Sequence, residues 1–163
     1  MVLDYNRPSI PGCHGLTFFG PVVEVVIGVP QPLVDYLRTR GQPVPVPIRG
    51  HALIDTGASQ TAVVEAPCRQ DLGLLPVSTA TTHGAHGPQE VNIYRIEVTV
   101  PGGHRPMSAM LQAAAYPPLD LAGTYSAQGM TLIALLGRDY LEHVTFLYDG
   151  PSGRVEVYHG GAL

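Results

Sequence analysis

The most informative pattern in the chain is "HALIDTGASQTAVV", residues 51–64. Its apolar run, residues 52–54, ends on an acid, Asp55, and a Thr-Gly pair follows before the chain becomes apolar again. A short apolar run that ends at a turn predicts a buried strand. A carboxylate at the end of such a strand is costly to bury without partners, so Asp55 needs an explanation.

The composition around this stretch limits the kinds of protein that fit. The chain has 163 residues, of which 45% are apolar and 13% charged, and this length suits one domain with a sizeable core. Globular proteins carry roughly 25% charged residues, so part of the apolar surface is expected to contact a protein partner. The net charge is −4 without any cluster of Lys or Arg, which argues against a nucleic-acid partner.

From the sequence we expect neither a membrane-spanning segment nor a signal peptide. No apolar run approaches the ~18–20 residues of a membrane span, and residues 1–15 lack the basic and apolar parts of a signal peptide. The two cysteines, Cys13 and Cys68, are too few for a disulfide framework or a four-cysteine zinc site. They predict free thiols in a reducing compartment, and a cytoplasmic location is expected. No His/Asn pattern supports Cys68 as a nucleophile.

The 19 glycines and 16 prolines punctuate apolar segments, a pattern typical of short strands joined by tight turns. We predict a mostly β protein with one or two short helices, an irregular or extended N-terminal arm at 1–20 and a main domain at 21–163. The predicted strands are 22–29, 51–55, 61–66, 107–116 and 131–137, with hairpins at 76–100 and 144–159. The predicted helical segments are 31–41, with Pro32 in its first turn, a turn within 67–74, and 138–143. An amphipathic helix is the alternative for 107–116.

A second motif makes the first one specific, since a lone Asp-Thr-Gly occurs by chance in about a few per cent of chains of this length. About 80 residues further on, "LLGRD" (135–139) ends another apolar strand at a glycine. Between the two lies the hairpin tip "THGAHG" (82–87). With these motifs in this order, the chain resembles the retropepsin-like aspartic proteases, the family of retroviral proteases and their cellular and bacterial relatives. The resemblance covers roughly residues 22–159 and makes 31–49 an insertion.

The resemblance implies a retropepsin-like fold, with a closed barrel-like lobe, a flap hairpin at 76–100 and a two-fold homodimer. Aspartic proteases activate water with two carboxylates that share one proton, whereas this chain holds no second Asp-Thr/Ser-Gly. Two-fold symmetry brings the same residue of each copy to the axis, so Asp55 is expected to meet Asp55 of a second copy. The implied function is an aspartic endopeptidase that cleaves peptide or protein substrates without a cofactor or metal.

Further roles follow from the resemblance, residue by residue. Thr56 is expected to hydrogen-bond across the two-fold axis, and Gly57 to contact the substrate main chain. The cleft floor and walls are expected to come from Ala58, Ser59, Gln60, Ile133 and Leu135. The flap that closes over the peptide is expected to comprise Thr82, His83, Gly84, Ala85, His86 and Gly87. Structural roles fall to Gly137, Arg138 and Asp139, with Arg138 buried behind the catalytic loop.

Two positions depart from the family's pattern. Ser59 stands where retroviral enzymes commonly carry an acid that pairs with the arginine, which leaves Asp139, Glu65 and Asp71 as open candidates for the partner of Arg138. Ala58 stands where many relatives have a serine whose hydroxyl binds the catalytic carboxylate. Because such a donor favours the ionised form, its absence predicts a less acidic pH optimum than that of digestive aspartic proteases.

Simpler interpretations remain open for each feature. Asp55 is also compatible with a residue that only caps a turn. "LLGRD" is compatible with an ordinary strand-to-helix junction, and the hairpin is compatible with a purely structural role. The fold is also compatible with a catalytically silent dimerisation or peptide-binding module. The histidines considered are His51, His83, His86 and His104. They are compatible with a metal site in a β protein, with substrate contacts at the flap tip, or with solvated loop positions.

Overall fold

The structure is a computed structural model that describes residues 2–4, 12–84, 87–101, 106–117 and 125–159. The strands are β1 Val2–Asp4, β2 Val22–Gly28, β3 Ile48–Ile54, β4 Ala62–Val64, β5 Ser78–Gly84, β6 Gly87–Val100, β7 Met107–Tyr116, β8 Leu132–Leu136, β9 Val144–Asp149 and β10 Arg154–His159. The helices are α1 Gly12–Phe19, α2 Gln31–Thr39, α3 Glu65–Gln70 and α4 Arg138–Leu141.

Strands β2, β3, β8, β4, β7 and β6 are hydrogen-bonded in that order, and β6 pairs back onto β2, so the sheet closes into a six-stranded barrel. β5 extends the sheet beyond β6 as the outer arm of a hairpin. β1, β10 and β9 form a separate three-stranded antiparallel sheet. The mostly β class and the closed barrel predicted from the sequence are confirmed.

The core lies inside the barrel, and the longest strand shows how the sequence builds it. Along β6 the residues Ile96, Val98 and Val100 alternate into the main core, as period 2 requires. The alternation slips where Ile93 and Tyr94 are both buried. Ile93 packs in a small cluster beneath the β5–β6 hairpin, whereas Tyr94 belongs to the barrel core. The slip therefore marks where the strand passes from the hairpin into the barrel.

The N-terminal segment differs from the extended arm that its Pro and Gly content predicted. Gly12–Phe19 form α1, in which Leu16 and Phe19 are buried. Phe19 packs in a cluster with Tyr125, whose hydroxyl donates to the Phe19 carbonyl at 2.7 Å. Burial of these two apolar side chains overrides the weak helix propensity of the segment, and propensity alone therefore missed the helix.

The other elements follow the prediction within a few residues. α2 occupies Gln31–Thr39 with Pro32 in its first turn, and 107–116 is the predicted strand rather than the alternative helix. β3 begins earlier than predicted, since Ile48 already pairs with Ile27 of β2. Glu65 begins α3, whereas the prediction placed it inside the strand 61–66. In the part of the chain that the structure describes, no helix is long and apolar enough to cross a membrane.

A carboxylate joins α3 to the barrel. Glu65 Oε1 accepts hydrogen bonds from Asn92 Nδ2 at 2.7 Å and from the Tyr94 hydroxyl at 2.9 Å. The hydrogen bond from Asn92 holds the pKa of Glu65 below its ordinary value, and partial burial opposes that shift. Burial first, and then the bond to Glu65, raises the pKa of Tyr94 to about 12. The charged form of Glu65 therefore stabilises the contact between helix and barrel.

Glu65→Gln is expected to lower the free energy of unfolding by about 1 kcal/mol at pH 7, since a neutral amide accepts these bonds more weakly. The folded-state pKa is depressed from 4.5, so the stabilisation is present above that value and is lost as the pH falls through the folded pKa. Urea unfolding between pH 7 and pH 3 measures the difference from wild type, which should shrink on acidification. Glu90→Gln, at an exposed site on β6, is the control with little effect expected. A difference that grows on acidification would contradict this account.

Candidate catalytic site

The two sequence motifs meet at the carboxyl end of β8. This strand lies between β3, with which it pairs in parallel, and β4, with which it pairs antiparallel. The loop 55–61 that connects β3 to β4 must therefore cross the end of β8. Asp55 at the start of this loop and Gly137 after β8, 82 positions apart in sequence, are thereby brought to one place.

Two backbone hydrogen bonds fasten the loop to the turn that follows β8. The Asp55 N–H donates to the Leu136 carbonyl at 2.9 Å, and the Arg138 N–H donates to the Ala58 carbonyl at 3.0 Å. These bonds hold the Asp-Thr-Gly turn at both its beginning and its end. The position of the Asp55 carboxylate is consequently set by the barrel and not by a mobile loop.

Gly137 makes this approach possible. A Cβ at this position would lie 2.6 Å from the carbonyl carbon of Gln60 and 2.9 Å from the Thr61 nitrogen, closer than real Cβ atoms come to such atoms. The Gly137 N–H also donates to Thr61 Oγ1 at 3.2 Å. The glycine of "LLGRD" is therefore required by close contact with the loop that carries Asp55.

Thr61 and Asp139 secure the far end of the loop. The Asp139 carboxylate accepts the Thr61 N–H at 3.0 Å, the Thr61 hydroxyl at 2.7 Å and the Tyr140 N–H at 2.9 Å. Thr61 is fully buried, and its polar groups therefore need internal partners. The sequence analysis missed Thr61, because nothing in the local pattern shows which residue an acid 78 positions away will bind.

Arg138 supports the same loop from outside. Its Nη1 donates to the carbonyls of Thr56 at 2.9 Å and of Gly57 at 3.1 Å. In the single chain its side chain is exposed, and the burial expected from the resemblance is not seen there. Among the described residues no carboxylate lies within 4.0 Å of it. Since Ser59 cannot pair with the guanidinium as an acid does, backbone carbonyls take that place.

The three acids considered as partners of Arg138 are placed elsewhere. Asp139 binds Thr61, and Glu65 binds Asn92 and Tyr94. Asp71 is exposed at the end of α3. The partners of Arg138, which the sequence left open, are therefore the main-chain carbonyls of Thr56 and Gly57.

Asp55 is partly exposed at the surface of this arrangement. Its Oδ1 accepts the N–H of Gly57 at 2.9 Å and of Ala58 at 3.3 Å. No described residue donates to its Oδ2, and Thr56 and Gly57 beside it are exposed. An acid that only caps a turn makes the same two bonds. The fastening of that turn to β8 and α4 is the feature that a turn cap does not require.

The expected cleft residues are placed unequally. Gln60 Nε2 donates to the Gln112 carbonyl of β7 at 2.6 Å, which ties the loop to the next strand. Leu135 is partly exposed, and Ser59 is exposed. Ile133 is only 6% exposed and lies in the barrel core, so in this conformation it is not available to a ligand.

The hairpin expected to form the flap is present as β5 and β6, paired from Ser78 with Ile93 to Gly84 with Gly87. The Thr82 hydroxyl accepts a hydrogen bond from the Tyr116 hydroxyl at 2.8 Å, which fastens the hairpin to β7. His83 is exposed. Ala85 and His86 lie outside the described residues, and closure of the hairpin over a ligand stays a prediction.

The alternatives built on histidine and cysteine find little support. Within the described ranges no group of three or more His, Cys, Asp or Glu residues is placed to hold a metal ion. His51 lines a cavity of about 310 Å³ beside Glu24 and Arg49, while His86 and His104 fall outside the description. Cys68 is a buried free thiol, and burial raises its pKa to about 11, so it is a poor nucleophile.

No protein-family model matches the chain, and no curated protein matches it. One solved structure that it is similar to is the solution structure of simian foamy virus (mac) protease. The two share 20% sequence identity, the match covers 75% of this chain and 92% of that one, and the TM-score is 0.41. At these values the likeness carries no argument about the site, and the interpretation rests on the topology and contacts described above.

Gly137→Ala is expected to lower the free energy of unfolding by about 1–3 kcal/mol or more, because the added methyl forces the loop 55–61 away from β8. Gly28→Ala is the matched control, since its Cβ would meet Pro47 at an ordinary 3.7 Å. Urea unfolding compares the two variants with wild type. Equal stability of the two variants would contradict the close approach.

Proposed function

We propose that the protein is an aspartic endopeptidase that acts as a homodimer, with Asp55 of each copy forming the catalytic pair. The observation that carries the proposal is the fixed position of Asp55. The turn that bears this carboxylate is bound to β8 and α4 through Leu136, Arg138 and, further along, Gly137. A general base must be held in one geometry to take a proton efficiently, and a partly exposed carboxylate with one oxygen facing no described donor meets that requirement.

The need for a second copy follows from the chemistry. One carboxylate can remove a proton from water, but it cannot at the same moment donate one to the carbonyl oxygen of the peptide. Thr56, Gly57 and Ser59 are exposed around Asp55 in the single chain, which leaves room for an identical loop related by a two-fold axis. The isologous contact then supplies the missing acid.

In the proposed reaction the two carboxylates share one proton, because like charges at hydrogen-bond distance cannot both ionise. The ionised carboxylate takes a proton from water as the water oxygen attacks the scissile carbonyl carbon. The protonated Asp55 of the partner subunit donates its proton to the carbonyl oxygen. In the second step the C–N bond of the tetrahedral gem-diol breaks, the leaving amine takes a proton from the first Asp55, and a gem-diol hydroxyl returns a proton to Asp55 of the partner subunit. No metal or covalent intermediate is required.

The substrate is proposed to lie between the loop 55–60 and the β5–β6 hairpin. Ala58, Ser59 and Gln60 form the floor in this proposal, with Leu135 as an apolar wall. The hairpin tip, residues 82–87, closes over the peptide and excludes water. Since Ile133 is buried, Leu135 is left as the apolar contact, and an apolar side chain beside the cleaved bond is expected.

Asp55→Asn tests the proposal directly. The variant is expected to lose peptide cleavage by at least about 10³-fold, since an amide cannot act as the base, while the dimer stays folded. Mass spectrometry of a digested peptide library measures cleavage, and analytical ultracentrifugation measures the dimer. Asp71→Asn, an exposed acid outside the site, is the control and should keep full activity.

Hydrolysis that survives in Asp55→Asn would overturn the assignment of the base. If wild type forms the dimer but cleaves no peptide in the library, the chain is instead the silent dimerisation or peptide-binding module that the sequence also allowed. A monomer that still cleaves peptides would remove the shared pair from the mechanism.

Ala58→Ser tests the effect of having alanine where many retropepsin-like proteases have a serine after the Asp-Thr-Gly motif. A hydroxyl next to Asp55 would add a donor to the ionised carboxylate, so the acid limb of the pH–rate profile is expected to move to lower pH. The wild-type profile is expected to be less acidic than that of digestive aspartic proteases. A wild-type optimum below about pH 3, or a shift to higher pH in the variant, would contradict this.

A further inference from the structure

An apolar groove of about 450 Å³ lies on the outer face of the barrel, and none of its described lining residues belongs to the loop that carries Asp55. One side is formed by Pro32 and Leu33 of α2, and the opposite side by Leu75 and Val77 of the chain that leads into β5. Arg95 of β6 and Met110 of β7 also belong to the lining, which further includes Pro30, Gly73 and Leu74. We call these residues the α2 groove. The segment 31–49, an insertion in the proposed fold, therefore contributes one of its sides.

The rim of the α2 groove is unusually exposed for apolar side chains. Leu75 is 81% exposed, Val77 51% and Met110 55%. Single exposed apolar residues are ordinary, whereas several around one depression mark an interaction site. These three side chains surround the same cavity, so their exposure is a property of the groove.

Arg95 supplies the polar group that selects a ligand. It is the one charged residue in the described lining. Among the residues that the structure describes, no carboxylate lies within 4.0 Å of its guanidinium. Its neighbour across the strands is Gln112, and Glu97 accepts the Gln31 N–H at 3.1 Å. A guanidinium that forms no ion pair with a described carboxylate and lies beside apolar walls is complementary to a carboxylate attached to apolar groups.

The shape of the groove favours a peptide over a small molecule. A site for a small ligand encloses most of the ligand's surface, whereas here Leu75 and Val77 stand at the rim with most of Leu75 in solvent. A ligand that filled only the cavity would leave these side chains exposed. A peptide segment covers the rim and the cavity together.

We propose that the α2 groove binds a segment of a protein partner in which apolar side chains stand beside an acidic residue. The apolar side chains occupy the cavity between α2 and Val77, and the carboxylate pairs with Arg95. This docking site is separate from Asp55 and does not depend on the proposed hydrolysis.

The test uses the full chain with Asp55→Asn, so that no bound peptide can be cut. A random dodecapeptide library displayed on phage is selected on this protein, and the enriched peptides are measured as fluorescein conjugates by fluorescence anisotropy. The enriched peptides are expected to combine leucine-like or aromatic residues with an acid. Leu75→Ser with Val77→Ser should weaken their binding about tenfold or more, because apolar contact area is lost.

Arg95→Gln should weaken acidic peptides about three- to tenfold, and Arg95→Lys should restore part of the loss. Replacing the peptide's acid by its amide should cost nothing further in Arg95→Gln, since the two changes remove the same contact. Val46→Ser is the control, because Val46 is 82% exposed but lies outside the groove lining. Circular dichroism checks that each variant is folded.

Three results would overturn the proposal: selection that enriches no peptide, enriched peptides that bind equally well to the Leu75→Ser/Val77→Ser variant, or binding that is indifferent to Arg95→Gln. Because anisotropy measures binding without hydrolysis, these outcomes are independent of whether wild type cleaves peptides. Occupation of the groove by another part of this chain would appear as selection that enriches no peptide, and it too would overturn the proposal.

Discussion

The close approach of β8 to the loop 55–61 is the constraint on which the proposed site depends. Gly137 leaves no Cβ between the turn after β8 and the backbone of Gln60 and Thr61. Because these two segments are in contact, the Asp55 and Arg138 N–H groups can donate to the Leu136 and Ala58 carbonyls. The same contact lets the Asp139 carboxylate accept from the buried Thr61 hydroxyl. A carboxylate at a chain turn thereby acquires a fixed position. Removing the contact would leave the same residues in the sequence without a shared geometry.

Much of this arrangement is readable from the sequence. Short apolar runs separated by Gly and Pro predicted the strands. The alternation of apolar residues along β6 predicted which face of the strand points into the core, including the break in alternation at Tyr94. The helix α1 was missed because it is stabilised by the burial of Leu16 and Phe19 and by the contact of Phe19 with the distant Tyr125, which local propensity does not contain. Strand ends were shifted for a similar reason, since Ile48 joins β3 only because Ile27 of β2 pairs with it.

The candidate site was predictable in its main residues and not in its supporting contacts. The motifs around Asp55 and Gly137 could be matched, because their spacing is a property of the chain. The partners of Arg138 and Asp139 could not, because an acid can bind any donor that the fold brings within 3 Å. The Arg138 guanidinium donates to the main-chain carbonyls of Thr56 and Gly57 and not to any of the carboxylates considered as its partner. A sequence identifies candidate donors and acceptors, and the fold decides which of them meet.

The pairing of Ile27 with Ile48 has a consequence for how this chain can change. The segment between these two residues leaves the barrel and returns to it at one pair of neighbouring strand residues, so its two ends are already as close as those of a tight hairpin. Loop length between such ends costs little free energy. The segment that carries α2 can therefore change in length at small entropic cost, provided that Leu33, Val34 and Val44 keep their packing against the barrel core.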